Sequence, residues 1–254
     1  MLTVISPAKS LDLAPVSDPA TAPRFQEETA TLVTRARRLT LKDMRALMSI
    51  SEDLARLNRD RYRDWDDAAE KPAIRMFAGD TYTGLDAATL SEDALRHAQD
   101  TLRILSGLYG LLRPLDAIKP YRLEMGSRLN TRRGKDLYAF WGPRLAEALN
   151  ADAEAVGTDL LLNCASQEYF GAVDRKALKL RVITPTFLED KPGGPKIVSF
   201  AAKRARGAMA RFVAEHRLTA PTDLRDFRTG GYEWQESPED APVFLRRAET
   251  DRAA

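Results

Sequence analysis

Cysteine is almost absent from this chain: Cys164 stands alone, which excludes an internal disulfide. Histidine is nearly as scarce. His97 and His216 with one cysteine cannot assemble a His/Cys metal site, and no Glu-x-x-His pair of the di-iron type is present, so no metal centre is expected. Neither charge sign dominates. Against 37 Asp and Glu, 39 Lys and Arg leave a formal charge of +2, so nucleic-acid binding would have to come from local clustering and not from the whole surface. Long apolar runs are missing too. Leu2 to Ile5 suits a buried strand and is far too short for a signal or membrane segment, which, with the cysteine usage, leads to an expectation of a cytoplasmic protein that does not touch membranes. No P-loop, dinucleotide glycine fingerprint or zinc-deaminase signature occurs, and neither histidine sits near a serine or cysteine in a triad-like motif. No cofactor is expected, and whether the chain catalyses anything stays open.

What is present is enough for one large core: 254 residues, 44% hydrophobic and 30% charged. After the first strand, Ser6-Pro7 ends the run and a Pro/Ala-rich loop leads to an amphipathic helix at about 25 to 38. Thr40 with Asp43 forms a capping start for the next helix, Ser51 opens another, and Ser91 caps a helix whose stripe of Leu95, Leu102 and Leu105 carries it to Gly107. Leu160 to Asn163 reads as a fully buried strand. Lys179 to Leu188 and Lys196 to Phe200 read as β-rich runs joined by the turn DKPGGPK, with late strands at Gly231 to Gln235 and Val243 to Arg246 and a frayed end, AETDRAA. These elements predict a mixed α/β (α+β) fold over residues 1–254, a single compact domain with a mixed β-sheet and flanking helices. A helical amino-terminal subdomain at about 25–70 is compatible with the pattern.

Two segments concentrate the chemistry. In FAAKRARGAMARFVAEHR, Phe200 to Arg217, helical spacing puts Ala202, Ala205, Met209, Phe212 and Val213 on one arc and Lys203, Arg204, Arg206 and Arg211 on the other. Gly207 falls within the basic arc, where its bare backbone suits a phosphate, or the packing of another helix. In LRILSGLYGLLRPLDAIKPYRLEMG, Gly107 and Gly110 bracket Tyr109 in a tight turn that suits either a packing corner or a helix-hairpin-helix-like element whose N–H groups bind phosphate. Arg113, Tyr121, Arg122 and Glu124 crowd the loop after it, where an ion pair and a site are both compatible with the pattern. Lys9 follows the first strand, Asp80 and Tyr82 lie between Gly79 and Gly84, and Ser166 and Tyr169 follow the buried strand.

ISPAKSLD, FAGDTYTGL, LSGLYGLLRPLDAIKPYRLEMG, GKDLYAFWG, NCASQEYF and KIVSFAAKRARGAMARF occur in order along nearly the whole chain. Together they resemble the YaaA peroxide-stress-resistance family. That resemblance implies cytoplasmic residence, protection against hydrogen peroxide linked to lower free iron, a compact α/β fold, and a basic cleft with a helix-hairpin-helix-like element that binds DNA. It assigns no catalytic role, and Cys164 stands where the family pattern carries a small residue such as alanine.

The expected DNA contacts are therefore Lys9, Gly107, Tyr109, Gly110, Arg113, Arg122, Lys203, Arg204, Arg206 and Gly207. They would act on phosphate, selective for structure and not for base sequence, in a protein expected to be a monomer. The alternative is an enzyme acting on a nucleotide or another phosphorylated small molecule in the same cleft. Lys9, Asp80, Glu124 or Ser166 would then do proton transfer or nucleophilic chemistry.

Overall fold

Leu2–Ile5 (β1) buries all four of its residues, as only a strand covered on both faces can. In a computed structural model, which describes residues 1–247, β1 is the middle strand of a five-stranded sheet. The expectation for AETDRAA lies outside the described residues. The sheet adds Leu102–Ser106 (β2), Gly110–Leu112 (β3), Leu160–Cys164 (β4) and Arg181–Ile183 (β5) in the order β3-β2-β1-β4-β5. All run parallel except β3, which is antiparallel to β2. The chain thus leaves β1 for β2, then returns past β1 to β4 and β5. The order in which strands are added reverses between β1 and β4, which are themselves parallel.

Most local signals in the sequence hold. The helices Gln26–Arg37 (α1), Leu41–Met48 (α2) and Glu52–Arg63 (α3) form as expected, with a complete capping box at Thr40 and Asp43 and with Ser51 accepting from the Leu54 amide at 3.4 Å. Ser91 likewise accepts from the Ala94 amide at 3.1 Å. Two other expectations are corrected. Asp80–Leu85 (α4) precedes a helix that spans only Glu92–Thr101 (α5), and the residues assigned to its second half are β2. Every residue from Leu102 to Ser106 is buried, so no exposed helical face exists there, and pairing with β1 prevails over helix propensity. The turn at Gly107 to Tyr109 therefore joins two antiparallel strands, with Ser106 opposite Gly110, and is a β-hairpin, not a helix-hairpin-helix. Gly110 has φ +72°, and a β-carbon there would come within 2.6 Å of the Trp141 ring.

The helix Arg144–Ala155 (α6) leads to β4, whose end is capped by the short helix Gln167–Phe170 (α7). Past β5 the chain forms Thr186–Glu189 (β6), the long helix Ser199–His216 (α8), Tyr232–Gln235 (β7) and Val243–Arg246 (β8). These three strands make a second sheet in the order β6-β8-β7. The expected strand over Lys196 to Phe200 reduces to one bridge between Lys196 and Glu189 before α8 begins.

Helix α8 is fastened to α4 by two glycines. A β-carbon at Gly207 would lie 1.8 Å from the Thr81 carbonyl oxygen, and one at Gly84 would lie 1.9 Å from the Arg204 carbonyl oxygen. The two helices meet backbone to backbone. Arg211, one turn on, donates to the Asp86 carbonyl at 2.9 Å and to Thr89 Oγ1 at 2.7 Å, which caps the end of α4. Of the two roles open to Gly207, the structure shows the packing of a helix. Gly207→Ala is expected to destabilise the fold by about 1–3 kcal/mol, overriding the roughly 1 kcal/mol that alanine gains in helix propensity. Urea denaturation measures it, and a stabilised variant would contradict the contact.

Candidate functional site

In an open α/β sheet, the loops leaving the carboxyl ends of two parallel strands part where the chain reverses direction, and the gap between them is the usual ligand crevice. Here those loops begin at Ser6 after β1 and at Ala165-Ser166 after β4. They are joined directly. Ser6 Oγ accepts from the Ser166 amide at 2.9 Å and lies 3.3 Å from Ser166 Oγ, while the Tyr82 hydroxyl donates to the Ser6 carbonyl at 3.2 Å. Ser166 also N-caps α7.

Lys9 stands at the rim of this edge, 67% exposed, with Nζ 3.5 Å from Glu124 Oε1. The same oxygen takes the Arg122 guanidinium at 3.0 Å, while Glu124 Oε2 is buried with no partner among the described residues. Gly79, immediately before Asp80, would place a β-carbon 3.6 Å from that of Ala8, so the start of α4 lies against the Ser6–Lys9 loop. Lys9, Asp80, Glu124 and Ser166 thus gather at one edge of the sheet. Burial pushes Tyr82, Tyr121 and Tyr169 well above the ordinary phenol range, so they stand here as neutral hydroxyls. Two further participants carry no recognisable signal in the sequence: Ser106 Oγ pairs with the Tyr121 hydroxyl at 2.6 Å, and Glu168 Oε1 accepts from the Gly126 amide at 3.0 Å.

The remaining expected contacts are placed differently. Lys203 and Arg204 are exposed and Arg206 is half-buried on α8, and none of the three forms an ion pair among the described residues. Arg204 turns towards the second sheet, where it borders a 350 Å³ groove with Tyr232 and Arg246. Arg113 follows the antiparallel β3 and so stands at the opposite edge of the sheet from Lys9, paired to the buried Asp116 at 3.1 Å. Gly107 is closed off, since a β-carbon there would lie 2.2 Å from the Leu123 carbonyl oxygen, and Tyr109 is buried, its hydroxyl accepting from the Lys119 amide at 2.9 Å. Gly207 lies beneath α4. Among the described residues no group of three or more His, Cys, Asp and Glu side chains is arranged to hold a metal ion, and no helix is long and apolar enough to cross a membrane.

A family model described as "Peroxide stress protein YaaA" matches residues 1–238. Similar proteins include a UPF0246 protein of Jannaschia sp. (strain CCS1), 61% identical over 258 residues with both chains wholly covered. A UPF0246 protein of Ruegeria pomeroyi is 60% identical over 97% of this chain and 98% of its own. A third, from Roseobacter denitrificans, is 62% identical with the same coverage.

Cys164 ends β4 next to this edge, and burial pushes its thiol up to about 12 despite the opposing pull of the Arg206 guanidinium. At pH 8 about one molecule in ten thousand would carry the reactive thiolate, against about a quarter for an unfolded cysteine. Labelling of native protein by a disulfide reagent at pH 8 is expected to be at least about a thousandfold slower than labelling in urea. Comparable rates would show an accessible, activated thiol instead.

Proposed function

The chain belongs to the YaaA peroxide stress protein family, and from that premise we propose that it limits peroxide damage by binding DNA through α8 and the adjoining carboxyl edge of the large sheet. The observation that carries this reading is the contrast among cations. Lys9, Arg113, Arg122 and Arg211 each face a carboxylate, Lys9 from a largely exposed side chain, whereas Lys203, Arg204 and Arg206 have none among the described residues. A paired cation on the rim adds little long-range field, while three unpaired ones within one turn of a held helix attract phosphate.

Contact with phosphate releases the cations condensed along the DNA. Ferrous iron is such a cation, and iron held on phosphate generates its oxidant beside the backbone when it meets peroxide. Displacing it protects the DNA without a metal site in the protein. The contacts proposed are to phosphate, so they select for DNA structure and not for bases. The hairpin glycines, packed against Leu123 and Trp141, are left out of this interface.

One observation favours a second reading, an enzyme acting on a nucleotide or another phosphorylated small molecule. It is the reversal of strand order between the strands that lead to Ser6 and Ser166, with Lys9 and Glu124 above it. Titrations of labelled duplex and of nucleotides at several salt concentrations separate the two. Duplex affinity is expected to fall linearly on a log–log scale, with Lys203→Ala and Arg206→Ala each reducing the slope by about 1 and Arg113→Ala leaving it unchanged. A flat salt response would remove the phosphate reading. Tight nucleotide binding lost in Lys9→Ala, with weak duplex binding, would favour the enzyme.

A further inference from the structure

The opposite, amino-terminal edge of the sheet holds a separate charged pocket. Arg103, on β2, is only 4% exposed, although its side chain carries a full charge. Its Nε donates to Asp152 Oδ2 at 2.7 Å, and its Nη1 donates to the carbonyls of Leu102 at 2.8 Å and Gln99 at 3.1 Å. Its Nη2 has no acceptor among the described residues. Arg24 takes the other oxygen of Asp152, so one carboxylate on α6 serves two guanidiniums. Burial works to raise the Asp152 carboxyl, but the hydrogen bonds and charges of Arg103 and Arg24 outweigh it and hold the acid below its usual range. Asp152 is therefore ionised at neutral pH.

The third guanidinium, Arg113, belongs to Asp116. That carboxylate is 1% exposed and already accepts from the Arg113 amide at 2.8 Å, from its side chain at 3.1 and 3.2 Å, and from Thr21 Oγ1 at 2.7 Å. Asp116 accepts no hydrogen bond from Arg103, whose carboxylate partner is Asp152. Three guanidiniums and two carboxylates thus close around a cavity of about 240 Å³, with one positive charge in surplus. A second cavity of about 650 Å³ shares Arg24, Arg103, Arg113 and Asp152 with it. That volume suits a small-molecule ligand.

The Nη2 edge of Arg103 is not among the buried unpartnered atoms of the described residues and so opens onto the cavity, and tetrahedral oxyanions match the guanidinium fork. We infer that this edge is a second anion site, in which Arg24, Arg103 and Arg113 grip the phosphate of a small phosphorylated molecule whose remainder occupies the larger cavity. A structural ion-pair cluster alone would account for Asp152 and Arg103, but not for the open Nη2 or the two adjoining cavities. The site is separated from the Ser6–Ser166 crevice by the length of the strands, about 15 Å, and does not depend on the DNA-binding reading.

Isothermal titration of the full chain with inorganic pyrophosphate, at constant ionic strength, tests the inference. One saturable site is expected, weakened at least tenfold by Arg24→Ala and by Arg113→Gln, with Lys203→Ala retaining the wild-type affinity. Arg24 and Arg113 are each 40% exposed, and melting curves confirm that the variants are folded. Absence of saturable binding to wild-type protein up to millimolar pyrophosphate overturns the site irrespective of the variants. So does affinity that is lost in Lys203→Ala and kept in Arg24→Ala, which would place the anion on α8. Neither result bears on duplex binding, whose failure is read in the salt titration.

Discussion

The backbone contact between Gly84 and Gly207 governs how this protein presents its charge. With side chains at either position, α4 and α8 would be held apart by the width of a β-carbon, and the Thr81 and Arg204 carbonyls could not reach the facing helix. Their contact presses α4 against α8, while Ala202, Ala205, Met209 and Val213 bury the opposite side. The side chains of Lys203 and Arg204, where the crossing begins, are left exposed, and Arg211, one turn after Gly207, is used to close α4. The glycine contributes by fixing the helix, not by exposing its own backbone to a ligand.

The sheet divides the remaining charge between its two edges. At the carboxyl edge, loops from β1 and β4 are tied through Ser6 and Ser166, and Lys9 and Arg122 share Glu124. At the amino edge, Arg24, Arg103 and Arg113 surround Asp152 and Asp116. Arg113 joins the second group because β3 runs antiparallel to β2. One reversed strand therefore separates cations that sit close together in sequence.

Legibility in the sequence followed the range of the interaction. The first strand, the Thr40, Ser51 and Ser91 caps, the strand ending at Cys164 and the two late strands were all readable, because apolar runs and capping residues act within a few positions. Strand β2 was not, since Leu102 follows α5 with no glycine or proline between them and its apolar residues extend the helical stripe. The difference lies in pairing with β1, about a hundred residues earlier. The Ser6–Ser166 link, the Gly84–Gly207 contact and the sharing of Asp152 by Arg24 and Arg103 join distant segments and leave no local mark. Lys9, Glu124 and Ser166 could be singled out by residue type and loop position, but their convergence could not. The basic arc was legible as composition. Which of its cations lack a carboxylate was not.

Lysine acetylation footprinting, read by mass spectrometry with and without saturating duplex DNA, locates the bound duplex on the protein surface. Lys9, Lys203, Lys42 and Lys176 are all exposed in the free protein. Duplex is expected to slow acetylation of Lys203 and Lys9 several-fold and to leave Lys42 and Lys176 unchanged. Equal labelling of all four in the complex, or shielding confined to Lys42 or Lys176, would contradict an interface on α8 and the carboxyl edge of the sheet.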